Sequence, residues 1–102
     1  MNKTATRALV TGGSGGIGGA ICRRLGAAGH FVYVHAHRGT AAAEAIVGDI
    51  VKAGGAAAAV HFDLTDAAAT GNAVEKLLQD GPVQVLVNNA GVHDDEIGRA
   101  HV

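Results

Sequence analysis

Val10-Thr11-Gly12-Gly13-Ser14-Gly15-Gly16-Ile17-Gly18 stands between a short apolar run, Arg7-Ala8-Leu9-Val10-Thr11, and a stretch of helical periodicity. A backbone without Cβ atoms lets a charged ligand approach closely, and the helix that follows aims unpaired N–H groups at it. The partial positive charge at a helix start suits a phosphate or diphosphate. Two registers fit: Gly13-x-Gly15-x-x-Gly18, the general dinucleotide fingerprint, and the wider Thr11-Gly12-x-x-x-Gly16-x-Gly18. A Walker-type loop is excluded, because Gly18 is followed by Gly19 and Ala20 instead of Lys-Ser/Thr. Taken alone, the stretch reads equally well as an ordinary tight turn.

The flanking sequence extends the pattern. From Gly16 to about Ala28, the residues Ile17, Ala20, Ile21, Leu25 and Ala28 recur at helical spacing, and Gly29 stops the run. Phe31-Val32-Tyr33-Val34-His35-Ala36 is apolar on both faces except at its end, a pattern that suits a buried parallel strand. Thr40 is placed to cap a second helix, with Ala43, Ile46, Val47, Ile50 and Val51 on one stripe before Gly54-Gly55. The alanines of Ala56 to Phe62 favour helix by propensity, but the glycine boundary and the closing Val60-His61-Phe62 favour a third strand. Asp66 opens a third helix carrying Val74, Leu77 and Leu78, ended by Gly81-Pro82; Gly71 inside it costs roughly 1 kcal/mol relative to alanine. Val83-Gln84-Val85-Leu86-Val87 is a fourth strand.

Strands alternating with helices at this spacing imply right-handed crossovers and a parallel sheet. The expected fold is α/β, a Rossmann-type doubly wound parallel sheet, truncated to four strands in the order 3-2-1-4 with three helices. Ligands then bind at the carboxyl edge, where the glycine turn leaves strand 1. Composition agrees. Among 102 residues, 48% are hydrophobic, enough for a core, and the net charge of −1 gives no electrostatic reason for a nucleic-acid or anionic-membrane partner. The single cysteine, Cys22, reads as a small core residue and suits a reducing compartment. No segment has the length of a membrane span and the N-terminus lacks the apolar core of a signal peptide, so the expected location is cytoplasmic.

Two further motifs fall on the same edge: Asp63-Leu64 after strand 3, and Asn88-Asn89-Ala90-Gly91 after strand 4. Together with Thr11-Gly12-x-x-x-Gly16-x-Gly18, in this order, they resemble the short-chain dehydrogenase/reductase family from about Arg7 to Asp95. The resemblance implies roles by position. Thr11, Gly12, Ser14, Gly15, Gly16 and Ile17 belong to the turn along the diphosphate of a nicotinamide dinucleotide, and Gly18 lets the helix pack closely on the sheet. Asp63 accepts from the adenine amino group with the Leu64 backbone beside it, and Asn89, Ala90 and Gly91 lie against the ribose nearest the nicotinamide. Read singly, Asp63 is equally a surface acid capping the next turn, and Asn88-Asn89 a pair of turn formers.

NAD-using relatives carry an acid at the end of strand 2, where it accepts from the ribose 2′-hydroxyl and repels a 2′-phosphate. His35-Ala36-His37-Arg38 contains none, and Ala36 stands where the acid is expected. Arg38 can make a charge-assisted contact to a phosphate, with His37 as its neighbour, so the expected cofactor is NADP(H). Gly15 departs from the pattern of many NADP-using relatives, which have a basic residue just before the equivalent of Gly16. Arg38 alone also reads as a solvated strand-end cation. His35 and His37 share a strand face, but no third ligand is placed by spacing, and Asp94-Asp95-Glu96 reads as a solvated loop; no metal site is expected.

In the family, a Tyr-x-x-x-Lys pair and an upstream serine, all later in sequence, reduce a carbonyl. Tyr33 is the chain's one tyrosine, sits in a strand and has His37 four places on, so no catalytic residue is assigned within residues 1–102. Ile97-Gly98-Arg99-Ala100-His101-Val102 is what the adapter codons ATC GGA AGA GCA CAC GTC encode. Residues 1–95 are therefore expected to be the N-terminal part of a dinucleotide-binding domain and 96–102 a non-native tail. The spacing is most similar to that of 3-oxoacyl-[acyl-carrier-protein] reductases of fatty-acid or polyketide synthesis. This implies the cofactor part of an oligomeric, NADPH-dependent reductase of a carrier-bound or small carbonyl substrate. The alternatives are a short-chain alcohol or sugar dehydrogenase, and a non-catalytic dinucleotide-sensing module.

Overall fold

A computed structural model describes residues 6–89. Its elements are β1 (Arg7–Thr11), α1 (Gly16–Ala27), β2 (Phe31–Ala36), α2 (Thr40–Lys52), β3 (Ala56–His61), α3 (Ala67–Leu78) and β4 (Val85–Asn88). The strands form one parallel sheet in the order β3-β2-β1-β4, as expected. Leu9 of β1 is level with Tyr33 of β2 on one side and Leu86 of β4 on the other, so the four carboxyl ends share one rim.

Alternation along the strands divides the core. One face presents Val10, Val32, Val34 and Ala36 to Cys22 of α1 and to Ala43, Ile46 and Ile50 of α2. The opposite face is thinner, joining Leu9 and Tyr33 to Leu77 of α3. At about 1.5–3 kcal/mol per fully buried aliphatic side chain, the α1/α2 layer carries most of the hydrophobic stabilisation. The Tyr33 hydroxyl is capped by Arg7, whose Nη1 donates across 2.8 Å and whose guanidinium lies 5.4 Å from the Phe31 ring centre.

Three local expectations change. The inward face of α1 is Gly18, Gly19, Cys22 and Gly26, while Ile17 is 70% exposed. The cause is the close crossing of α1 and α2: a Cβ on Gly19 would stand 3.0 Å from Ile46 Cδ1, and one on Gly26 2.8 Å from Ile50 Cγ2. Glycines make the groove and isoleucines fill it, so the larger residues of α1 turn outward or sit half-buried at the edge of the core. Thr40 is the first residue of α2 and not its cap; Gly39 precedes it without a side-chain bond. β4 begins at Val85, later than Val83: Gln84 N–H still bonds Arg7 O, but the Arg7 N–H is taken by the Gln84 side-chain Oε1 at 2.9 Å instead of a main-chain carbonyl of that segment. The Asp66 cap is as expected, its carboxylate accepting from Ala69 N at 3.0 Å.

Candidate functional site

The glycine turn leaves β1 at the carboxyl rim. Gly12 has φ of +67°, a conformation that favours glycine, and its carbonyl accepts from Gly15 N at 3.2 Å. Gly13 is the point of closest approach to the sheet. A Cβ there would lie 3.0 Å from Val10 O and 3.1 Å from both Cys22 Sγ and Val34 Cγ1. A Cβ on Gly18 would lie 2.3 Å from Gly12 O, 2.8 Å from Gly13 Cα and 3.0 Å from Asn89 Nδ2. Gly18 therefore lets the first turn of α1 close over the glycine turn; the close packing on the sheet expected of it belongs to Gly13.

Gly15 and Gly16 differ from these. The nearest atom to a Cβ on Gly15 would be Gly12 O at 3.7 Å, an ordinary contact, and a Cβ on Gly16 would meet nothing within 4 Å. Internal packing does not require glycine at either place. α1 starts here with Gly15 as N-cap, no side-chain cap and no acidic residue in its first turn. A bare backbone edge with the positive end of a helix behind it fits an anion the size of a diphosphate.

Thr11 and Asn89 tie this turn to β4. The Thr11 hydroxyl lies 3.3 Å from Val87 O and 3.1 Å from Asn88 Oδ1, either of which can take its proton, and it accepts from Asn89 N at 3.0 Å. Asn89 Nδ2 donates to Gly12 O at 3.2 Å. Ser14 reaches the other way, its Oγ only 3.0 Å from where a Cβ on Gly39 would be, so it abuts the segment that follows β2. Ala90 and Gly91 lie outside the described residues, as do 96–102 and Asp94-Asp95-Glu96.

On the β2–β3 side, His37 and Arg38 are exposed, and His37 Nε2 is 3.8 Å from Asp63 Oδ2. Asp63 Oδ1 accepts from Thr65 N at 2.9 Å and Thr65 Oγ at 2.7 Å. Those two bonds hold the Asp63 carboxyl below its ordinary value, with smaller help from the charges of His37 and Arg38. One oxygen thus braces the next turn, while Oδ2 faces the histidine. Leu64 follows at the surface, 37% exposed. Ala36, expected at the place of the NAD-selecting acid, closes β2, is 1% exposed and joins the α1/α2 core cluster. His37, the next residue, is exposed and likewise not an acid.

His35 was legible only as half of a histidine pair, yet it sits at the centre of this rim. It is 2% exposed, its Nε2 is 2.8 Å from Phe62 O, and its Nδ1 accepts from Gly12 N at 3.0 Å. Both ring nitrogens are engaged. Among the described residues no cluster of three potential metal ligands exists.

The sequence and fold that carry this rim have counterparts among known proteins. A family model described as short chain dehydrogenase matches residues 6–101. The chain belongs to the short-chain dehydrogenase/reductase family. It is 43% identical over 88 residues to an uncharacterised oxidoreductase of Methylorubrum extorquens, covering 85% of this chain and 36% of that protein. It is 39% identical over 95 residues to a 3-oxoacyl-[acyl-carrier-protein] reductase of Synechocystis, covering 92% of this chain and 38% of that one. A metagenomic short-chain oxidoreductase solved in complex with NADP superposes with a TM-score of 0.81 at 42% identity, over 85% of this chain and 39% of its own. This short-chain dehydrogenase/reductase chain thus spans little more than a third of the length of these curated relatives. Among its described residues no helix is long and apolar enough to cross a membrane.

Proposed function

We propose that this chain is the NADP(H)-binding part of an oxidoreductase that reduces a carbonyl to a hydroxyl. The observation that carries the reading is the convergence of the bare edge at Gly15 and Gly16 with Asp63 and Asn89 on one rim, joined through Gly12. The N–H groups at Ser14, Gly16 and Ile17 hold the diphosphate, and Gly12, Gly15 and Gly18 shape the turn that presents them, the Gly15 N–H being spent on Gly12 O. Asp63 accepts from the adenine amino group beside the Leu64 backbone, and Asn89, with Ala90 and Gly91, flanks the nicotinamide ribose. Arg38 and His37, just before the Gly39 that Ser14 abuts, take the 2′-phosphate. When bound, the dinucleotide supplies the hydride; the residues described here bind and orient it. A 3-oxoacyl thioester is the proposed substrate class, supported by the name of the Synechocystis relative.

The test is a calorimetric titration of the chain with NADPH and NADH, repeated on Arg38→Ala. NADPH is expected to bind at least tenfold more tightly than NADH, and the substitution to remove that preference without weakening NADH, since a charge-assisted phosphate contact is worth about 1.5–3 kcal/mol. Equal affinity for the two in the wild type would sink the NADP(H) assignment.

A further inference from the structure

His35 occupies a place that a buried parallel strand normally gives to an aliphatic residue. Both its ring nitrogens are bonded to backbone, and each partner has a fixed role. The Gly12 N–H, 3.0 Å from Nδ1, can only donate, so Nδ1 carries no proton. The Phe62 carbonyl, 2.8 Å from Nε2, can only accept, so Nε2 carries one. The His35 carbonyl also accepts from Gly13 N at 2.8 Å. One residue of β2 thereby holds two successive backbone groups of the glycine turn and the last carbonyl before Asp63. The ring is further fixed by Phe62, whose centre is 4.2 Å away.

We infer that His35 is a positioning residue for the dinucleotide site, whose neutral Nε2–H imidazole locks the glycine turn and the Asp63 segment into one frame. The inference rests on the dinucleotide reading for its ligand, but the lock itself is a property of the free chain. Its second consequence concerns acid. Protonation of Nδ1 would set two N–H groups against each other and release Gly12. The groups facing the ring are the Gly12 N–H from the turn, His61 and the Phe62 carbonyl from the β3 side, and His37 from the segment that follows β2. Burial lowers the ring's pKa, the Phe62 bond opposes this, and the charges of His61 and His37 lower it further. A histidine with a folded pKa below its unfolded value favours folding above the unfolded pKa, near 6.5, and loses that contribution as pH falls. The turn should therefore loosen on the acid side.

Nitrogen-detected NMR of the chain labelled with 15N-histidine reads the tautomer directly, and amide hydrogen exchange at Gly12 and Gly13 reads the lock. The expected result at pH 7.5 is an Nε2–H ring for His35. Its protonation on acidification should coincide with loss of protection at Gly12, the exchange rate being taken relative to the intrinsic amide rate at each pH. His35→Phe keeps the ring bulk against Phe62 and removes both bonds; it should raise Gly12 exchange and the NADPH dissociation constant at least tenfold. His35→Asn, which keeps an acceptor where Nδ1 was, should restore most of both. An Nδ1–H ring, or a folded His35→Phe variant with wild-type exchange and affinity, overturns the inference. If His35→Phe does not fold, the wild-type tautomer and its pH titration decide. Failure of the wild type to bind either dinucleotide at pH 7.5 would remove the ligand reading instead, and leaves the tautomer and exchange results to judge the lock.

Discussion

Alanine replacing glycine at three positions should separate a ligand's surface from the protein's own packing. At Gly48, exposed in α2, a Cβ meets nothing within 4 Å. Gly48→Ala should therefore gain most of the roughly 0.8–1 kcal/mol helix-propensity difference, or about 4–8 °C in melting temperature for a domain of this size. At Gly18 the same methyl lands 2.3 Å from Gly12 O, so backbone must move by more than half an ångström. The propensity gain is then outweighed by an overpacking cost of about 1–3 kcal/mol, a net loss of stability. Gly16 is the discriminating case. Its Cβ also meets nothing within 4 Å, but it sits at the start of α1 on the bare edge. Gly16→Ala should leave the melting temperature equal or higher and weaken NADPH at least tenfold, because the methyl occupies the approach to the N–H groups. Thermal denaturation and calorimetric titration of all three variants give the comparison. A Gly16→Ala protein that binds NADPH as tightly as Gly48→Ala would refute the claim that this edge is where the diphosphate sits.

Leu86 is 66% exposed on β4, and among the described residues no strand pairs with the outer edge of β4. Leu86→Lys should reduce concentration-dependent association in sedimentation velocity while keeping the circular dichroism spectrum, since a lysine on an edge strand opposes further pairing; an unchanged sedimentation profile would show that association, if any, lies elsewhere. Burial pushes the Cys22 thiol up to about 11, against a small opposite effect of Arg23, so a disulfide reagent at pH 8 should label the folded chain far more slowly than the chain in denaturant. Equal rates would mean that α1 opens readily from the sheet.

The fold was legible because its signals were redundant. β2 is apolar on both faces and lies between glycine stops, and every crossover is short enough to leave a single topology. The alanine-rich β3 was ambiguous by propensity, and the sheet decided it: as an edge strand it only half-buries Ala57 and Ala59, for which small side chains suffice. The large residues of α1 misled for the opposite reason. Periodicity identified the right element and the wrong face, because the inward side of a helix that crosses another closely is lined with glycine, and a glycine adds nothing to an apolar stripe.

The site was legible at its motifs and silent at its joints. Gly12, Asp63 and Asn89 are spaced so that a parallel sheet must bring them to one rim, but spacing cannot say what keeps them in register there. The joints are hydrogen bonds from side chains that sequence reading assigned elsewhere or passed over: Thr11 to β4, Asn89 back to Gly12, and His35 from Gly12 to Phe62. A glycine turn needs such joints more than other turns do. Without side chains it has no packing of its own, and its backbone freedom would otherwise have to be lost when the ligand binds. Fixing Gly12 from both of its polar atoms, N–H to His35 and C=O to Asn89 and Gly15, removes that freedom in advance. The outward N–H groups can then stay bare without the turn collapsing onto itself, which explains how an unpacked edge and an ordered turn occur at the same residues.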